Sequence, residues 1–169
     1  MGELLKIVRI YITLAVIAAV GIVAYRILAT YQWMRLPEDN PMMAPIVKPG
    51  DMFRVNKLDL SAFRRGDIVV FVQDPRDPAA FLLGRIVALP GERIAILSGE
   101  VRVNGERLAE EGVPTPTAGE VPEITVPRDH YYILVNQRGD PTFQNAPGKV
   151  DSRGLGPIPA SRFLGKAVL

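Results

Sequence analysis

Apolar and polar positions alternate in two distinct regimes along this chain. Residues 10–25, IYITLAVIAAVGIVAY, form an uninterrupted uncharged run bracketed by Arg9 and Arg26. At a helical rise of about 1.5 Å per residue the two arginines stand roughly 25 Å apart, close to a bilayer core of about 30 Å. Both long side chains can snorkel outward, and Tyr11, Tyr25, Tyr31 and Trp33 fall where an interfacial aromatic belt would lie. The pattern predicts one membrane-spanning helix over residues 4–34. A cleaved signal peptide fits less well, because Arg26 follows the run without a small-residue cleavage site.

Beyond a short polar linker, Leu36 to Asn40, the period changes to that of strands. Met52–Asn56, Asp67–Gln73, Phe81–Leu89, Arg93–Leu97, Glu100–Val103, Tyr131–Asn136 and Phe163–Leu169 are short apolar or β-branched runs. Turn residues separate them, among them Pro49-Gly50-Asp51, Pro90-Gly91 and the hairpin signal Asn104-Gly105. Pro114 to Pro127 and Gln137 to Lys149 read as exposed loops, each a candidate partner contact; the second carries Arg138-Gly139-Asp140, a chance tripeptide. The expectation is a mainly β fold: an anchor helix over residues 1–35 and one β domain over 36–169.

Composition narrows the chemistry. The 169 residues carry a net charge of +2, too weak a basic balance to argue for nucleic acid, and no recognition motif supports one. There is no cysteine, which removes disulfides and thiolate chemistry. His130 is the only histidine and sits in a polar PRDHYY turn, where solvation is its ordinary fate. No His, Asp and Glu positions have metal-ligand spacing, so neither metal nor cofactor is expected. The positive-inside count is a tie, Lys6 and Arg9 against Arg26 and Arg35, so charge does not set an orientation.

Five segments carry a resemblance. Met43-Ala44-Pro45 with Pro49-Gly50-Asp51, Gly66 to Phe71, Gly84 to Glu92, Val101 to Glu106, and Asp151-Ser152-Arg153 through Leu164-Gly165-Lys166-Ala167 occur in one order. Together they resemble the motif boxes of the type I signal peptidases, serine/lysine-dyad peptidases anchored in membranes. The resemblance implies a signal-peptidase-like β domain on the extracytoplasmic, periplasmic side of a bacterial inner membrane, held by a single span. Arg9, Arg26 and Trp33 are its expected membrane-interface residues.

It also implies a serine nucleophile and a lysine base, and there the chain departs from the family. Met42 stands at the serine position and Gly84 at the lysine position. A thioether has no proton to lose, and glycine has no side chain to accept one. The expectation is therefore a catalytically degenerate member and not an enzyme. Its role would be an accessory or scaffolding subunit touching the bilayer, other membrane proteins and extended peptides, with Met42 and the empty space at Gly84 filling each other. Two alternatives stand beside it. One is a peptide-binding module for signal-sequence-like segments, using Asn40, Met42, Met43 and Gly84, with the Met42 N–H and the Asn40 amide as relics of an oxyanion hole. The other is a peptidase with relocated groups: Lys149 as a displaced base, and Ser61, Ser98, Ser152 or Ser161 as the remaining hydroxyls. Arg85, Asp151 and Arg153 are expected to form a structural charge network.

Overall fold

The computed structural model describes residues 2–57, 63–110, 113, 116–139 and 150–169. The chain divides into two compact units, Met1–Gln32 and Trp33–Leu169. The first is helix α1, Gly2–Thr30, with no buried residue. It is long and apolar enough to cross a membrane. The helix ends four residues short of the expected limit: Tyr31–Arg35 is a strand, β1. The aromatic and long side chains there favour a pleated backbone over another helical turn.

Among the described residues, the β domain contains two sheets. Its strands are β2 (Met52–Asn56), β3 (Ile68–Val72), β4 (Phe81–Ala88), β5 (Arg93–Leu97), β6 (Glu100–Val103), β7 (Glu106–Arg107), β8 (Val121–Thr125), β9 (His130–Leu134), β10 (Ile158–Pro159) and β11 (Phe163–Val168). A short helix, α2, covers Ser152–Leu155. Seven strands pair in the order β1-β2-β11-β3-β4-β9-β10, and four in the order β7-β6-β5-β8. The β-branched run Ile68–Val72 is buried at every position, as a central strand with both faces covered must be. It pairs antiparallel with β4, placing Val69 opposite Gly84 and Ile68 opposite Arg85. The Asn104-Gly105 turn closes β6 onto β7, with Val103 opposite Glu106 and both turn residues at positive φ (53° and 86°).

One loop expectation is corrected. Residues 114–127 include strand β8, which pairs with β5 through Ile94 and Ile124; its Pro and Glu content disguises a strand whose outer face is solvated. The linker from Leu36 is anchored: Leu36 is 1% exposed, and its N–H and C=O bond to Asp51 O (2.9 Å) and from Gly50 N (3.0 Å). Among the described residues, three apolar clusters fill the domain. One contains Met42, Met43, Leu83, Val135 and Val150; another lies under the four-stranded sheet around Ile94, Ile96 and Tyr132; the third holds Phe71, Ile86, Ile133 and Phe163. Fully burying each such side chain contributes about 1.5–3 kcal/mol, which makes these clusters the main source of the domain's stability.

Candidate active site and its relatives

Residues 41–47 form a compact coil. Ala44 N bonds Pro41 O at 3.0 Å, and the N–H groups of Ile46 and Val47 bond Met43 O at 3.0 and 3.1 Å. The Ala44-Pro45 peptide is cis. The Pro-Gly-Asp turn that follows is closed by Asp51, whose carboxylate accepts Lys48 N (2.8 Å), while Gly50 takes φ 82°.

This coil is held from outside by residues 136 and 137. Met42 O accepts the main-chain N–H of both Asn136 (3.0 Å) and Gln137 (3.1 Å). The Asn136 amide donates to Met43 O (3.5 Å), and the Gln137 amide donates to Ala44 O (3.2 Å). Three successive carbonyls are thus satisfied by one facing segment, as buried backbone requires. No sequence motif points to Asn136 and Gln137 as holders of the coil; only their polarity after an apolar strand hinted that they do something other than pack.

Met42 is 7% exposed and Met43 fully buried, so both side chains belong to the core. The Met42 N–H is engaged by the Asn40 carboxamide oxygen at 3.2 Å. Asn40 therefore acts as an acceptor that closes a turn, and the two groups expected to point jointly at an oxyanion are bonded to each other.

Gly84 differs from expectation in another way. A side chain there would run into Ile133, with Leu134 O at 3.4 Å and Phe71 Cε1 at 3.6 Å. Ile133 and Phe71 belong to a different cluster from Met42. The space in front of Gly84 is taken by Ile133, which corrects the expected mutual filling of Met42 and Gly84. The β-branched residue on the neighbouring strand supplies the bulk that position 84 lacks.

The charge network also differs. Asp151 and Arg153 form a bidentate pair, 2.8–3.1 Å, with side chains 1% and 0% exposed. Asp151 additionally accepts Val135 N (3.2 Å) and Arg153 N (3.0 Å), the latter as the cap of α2. Arg85 stands apart from this pair. It donates to Asn136 Oδ1 (3.4 Å) and Gly66 O (3.1 Å), and it stands 3.9 Å from the Glu110 carboxylate. Glu110 in turn forms a two-pronged ion pair with Arg138, which is 2% exposed. Two ion-pair groups therefore replace the single network expected, and Glu110 and Arg138 were not foreseen in it. Burial pulls the Arg85 guanidinium below its ordinary pKa; Glu110 opposes the shift and Arg138 adds to it.

The remaining candidates scatter. Ser152 Oγ is buried and accepts Ile133 N at 2.8 Å. Ser98 lies in a turn at φ 52° and donates its N–H to Glu120. Ser161 is exposed in a 3-10 turn. His130 opens β9, with Nδ1 2.8 Å from Arg128 O. Lys149, Ser61 and Asp140 lie outside the described residues. Trp33, an expected membrane-interface residue, is 61% exposed on β1 beneath the Arg54 guanidinium, 5.7 Å from its ring centre. Arg9 and Arg26 are exposed on α1.

Residues 8–169 match the model of the signal peptidase, peptidase S26 family. A protein of Synechocystis sp. named "Probable signal peptidase I-2" is 32% identical over 90% of this chain and 66% of its own length. Signal peptidase I of Leptolyngbya laminosa is 29% identical over 94% of this chain and 75% of its own. A crystal structure of a signal peptidase I from Enterococcus faecalis V583 aligns with TM-score 0.47 and 22% identity, covering 63% of this chain and 97% of that one.

These relatives correct the expectation that the chain is not an enzyme. They are named as signal peptidases, which are enzymes, and their similarity runs through nearly the whole chain. The identity of two side chains, Met42 and Gly84, does not establish loss of activity. An accessory or scaffolding role likewise finds no counterpart in those names. With its β domain, its apolar N-terminal helix and a match from residue 8 to residue 169, the chain belongs to the peptidase S26 signal peptidase family.

Proposed function

We propose that this chain is a membrane-anchored peptidase of the signal peptidase I type, hydrolysing a peptide bond in the membrane-proximal, extended segment of exported preproteins. The observation that carries this reading is the family match across residues 8–169, which takes in all five motif boxes. The relatives' names give the reaction class.

Because Met42 and Gly84 offer neither a nucleophilic oxygen nor a base, the reacting groups belong to other positions. Lys149 is the first candidate for the base, two residues before the Asp151 anchor. The attacking oxygen is a water or one of the serine hydroxyls. The base takes its proton and delivers it to the leaving amine, so that one peptide bond and one water become a carboxylic acid and an amine. The helix α1 holds the enzyme in the bilayer, in a bacterial inner membrane with the β domain on the periplasmic side. Exposed apolar side chains on the β domain, Trp33, Met52 and Leu169, suit a surface that works beside lipid.

The test uses the full chain in detergent micelles with a signal-peptide-bearing preprotein, reading product masses and the new N-terminus over a range of pH. Cleavage at one site, lost in Lys149→Ala, is the expected result. Capture of the preprotein without any cleavage would overturn the reading. Cleavage that survives Lys149→Ala would transfer the base to another group.

A further inference from the structure

The segment that holds the 41–47 coil is itself gripped from behind. Arg138 lies two residues beyond Asn136, donates through Nε to Val135 O at 3.1 Å, and presents its two terminal nitrogens to both oxygens of Glu110. Arg85 approaches from β4. It places Nε against Asn136 Oδ1 and lies 3.9 Å from the same Glu110 carboxylate. Receiving Arg85 on its oxygen, the Asn136 carboxamide has to turn its NH2 toward Met43 O, where it is found. One carboxylate therefore stabilises the two guanidinium groups that flank Asn136, and Asn136 and Gln137 in turn hold Met42, Met43 and Ala44.

Glu110 lies in none of the five family motifs, and its carboxylate is only 13% exposed. It lies between β7 and β8 of the four-stranded sheet, three residues after the end of β7. We propose that Glu110 is a positioning residue for the site: through Arg138 and Arg85 it sets the orientation of Asn136 and Gln137 and so the conformation of residues 42–44. The physical ground is the cost of leaving a buried guanidinium without its counter-charge, which far exceeds the strength of any one hydrogen bond to the coil. With the carboxylate gone, Arg138 has to turn toward water. Its backbone neighbours, the N–H groups that hold Met42 O, move with it.

As regards turnover, this inference rests on the peptidase reading; as regards the conformation of residues 42–44, it does not. Amide hydrogen exchange on the full chain in micelles separates the two. In Glu110→Gln, which keeps the shape but loses the charge, the amides of Asn136 and Gln137 are expected to exchange at least tenfold faster. Those of Ile94–Ile96 in β5 stay within twofold of the parent chain. Glu110→Asp keeps the charge with a shorter reach and gives a smaller change of the same sign, and it serves if Glu110→Gln does not fold. Glu123→Gln, on an exposed pair with Arg93, is the control and leaves 136 and 137 unchanged.

Unchanged exchange at 136 and 137 in both Glu110 variants, or uniform acceleration of all amides, overturns the proposal, since the second is the signature of plain destabilisation. In a cleavage assay, a fall in kcat of tenfold or more with KM within threefold is the matching result. A parent chain without cleavage would sink the peptidase reading and leave the exchange result to decide this one.

Discussion

Ile133 occupies the volume into which any side chain at Gly84 would extend: a Cβ there collides with Ile133 Cγ2 across the β4–β9 pair. The two positions are complementary in bulk, one stripped to hydrogen and the other β-branched and fully buried. Gly84→Ala is therefore expected to destabilise by about 1–3 kcal/mol, the usual cost of overpacking. Ile133→Ala alone should lose about 2–5 kcal/mol through the cavity it leaves. The double variant should be more stable than the sum of the two by about 1 kcal/mol or more, because each change relieves the other. Urea unfolding of the four proteins checks this, and strict additivity would refute the complementarity.

The same relationship bears on any attempt to install the family's dyad. Met42→Ser with Gly84→Lys places a long side chain against Ile133, so the pair is expected to unfold at lower urea than the parent chain. Adding Ile133→Ala should recover part of the loss, and only this triple variant is a fair vehicle for testing a serine and lysine at those positions.

Asp151 neutralises a guanidinium with no exposure at all, caps α2 and accepts Val135 N. Asp151→Ala leaves Arg153 buried and uncompensated, and the expected cost is about 3–5 kcal/mol. Arg153→Ala is the companion variant. If either melted within a degree or two of the parent chain, the pair would have no structural role.

How much of this was legible beforehand depends on what each residue answers to. Strands β5 and β6 were readable to the residue, because β-branched runs between strong turn signals leave the backbone little choice. Strand β8 was not. Its Pro122 and Glu123 are loop residues by composition, and only pairing with β5 makes them a strand. Positions 42 and 84 were legible as departures from a motif, yet their surroundings were not, since the residue that fills the space at Gly84 lies 49 positions away on another strand (133 − 84). Likewise Arg85 was placed in a network on motif grounds, while its carboxylate neighbour Glu110 sits outside every motif. Contacts between distant segments leave no local pattern, and the candidate site is made of such contacts.

No residue of helix α1 is buried, so its apolar surface needs a further environment. The chain is expected to remain with membranes after alkaline carbonate washing. Val16→Arg places a charge near the middle of the apolar run at a cost of about 2.5–3.5 kcal/mol for insertion. A second arginine at Ala19 should tip most of the chain into the soluble fraction. Retention of the double variant in the membrane pellet would mean that something other than α1 anchors the protein.

Tyr132 links stability to alkaline pH. Its side chain is fully buried, and among the described residues its hydroxyl has no hydrogen-bond partner. Burial first, then the nearby Asp151 charge, holds its ionisation well above the ordinary tyrosine value; Arg153 opposes them. A folded-state pKa raised above the unfolded one means that the folded chain binds the proton more tightly. The resulting contribution is fully present below about pH 10, where an unfolded tyrosine begins to ionise, and is lost as pH rises toward the folded value. Tyr131, shifted upward by burial and by Asp129, adds to the same trend. Stability should therefore be flat with respect to these groups up to about pH 10 and then fall by as much as about 1.4 kcal/mol per pH unit for Tyr132, with Tyr131 acting in the same direction. Tyr132→Phe removes a buried unpaired hydroxyl and should raise stability by about 1 kcal/mol at neutral pH. It should also make the decline above pH 10 shallower by the share of one group. Urea unfolding of the parent chain and Tyr132→Phe at pH 7, 9, 10 and 11 measures both effects. A variant less stable at neutral pH by 1 kcal/mol or more would show that the hydroxyl is bonded after all, and parallel curves above pH 10 would show that Tyr132 ionises no later in the folded chain than in the unfolded one.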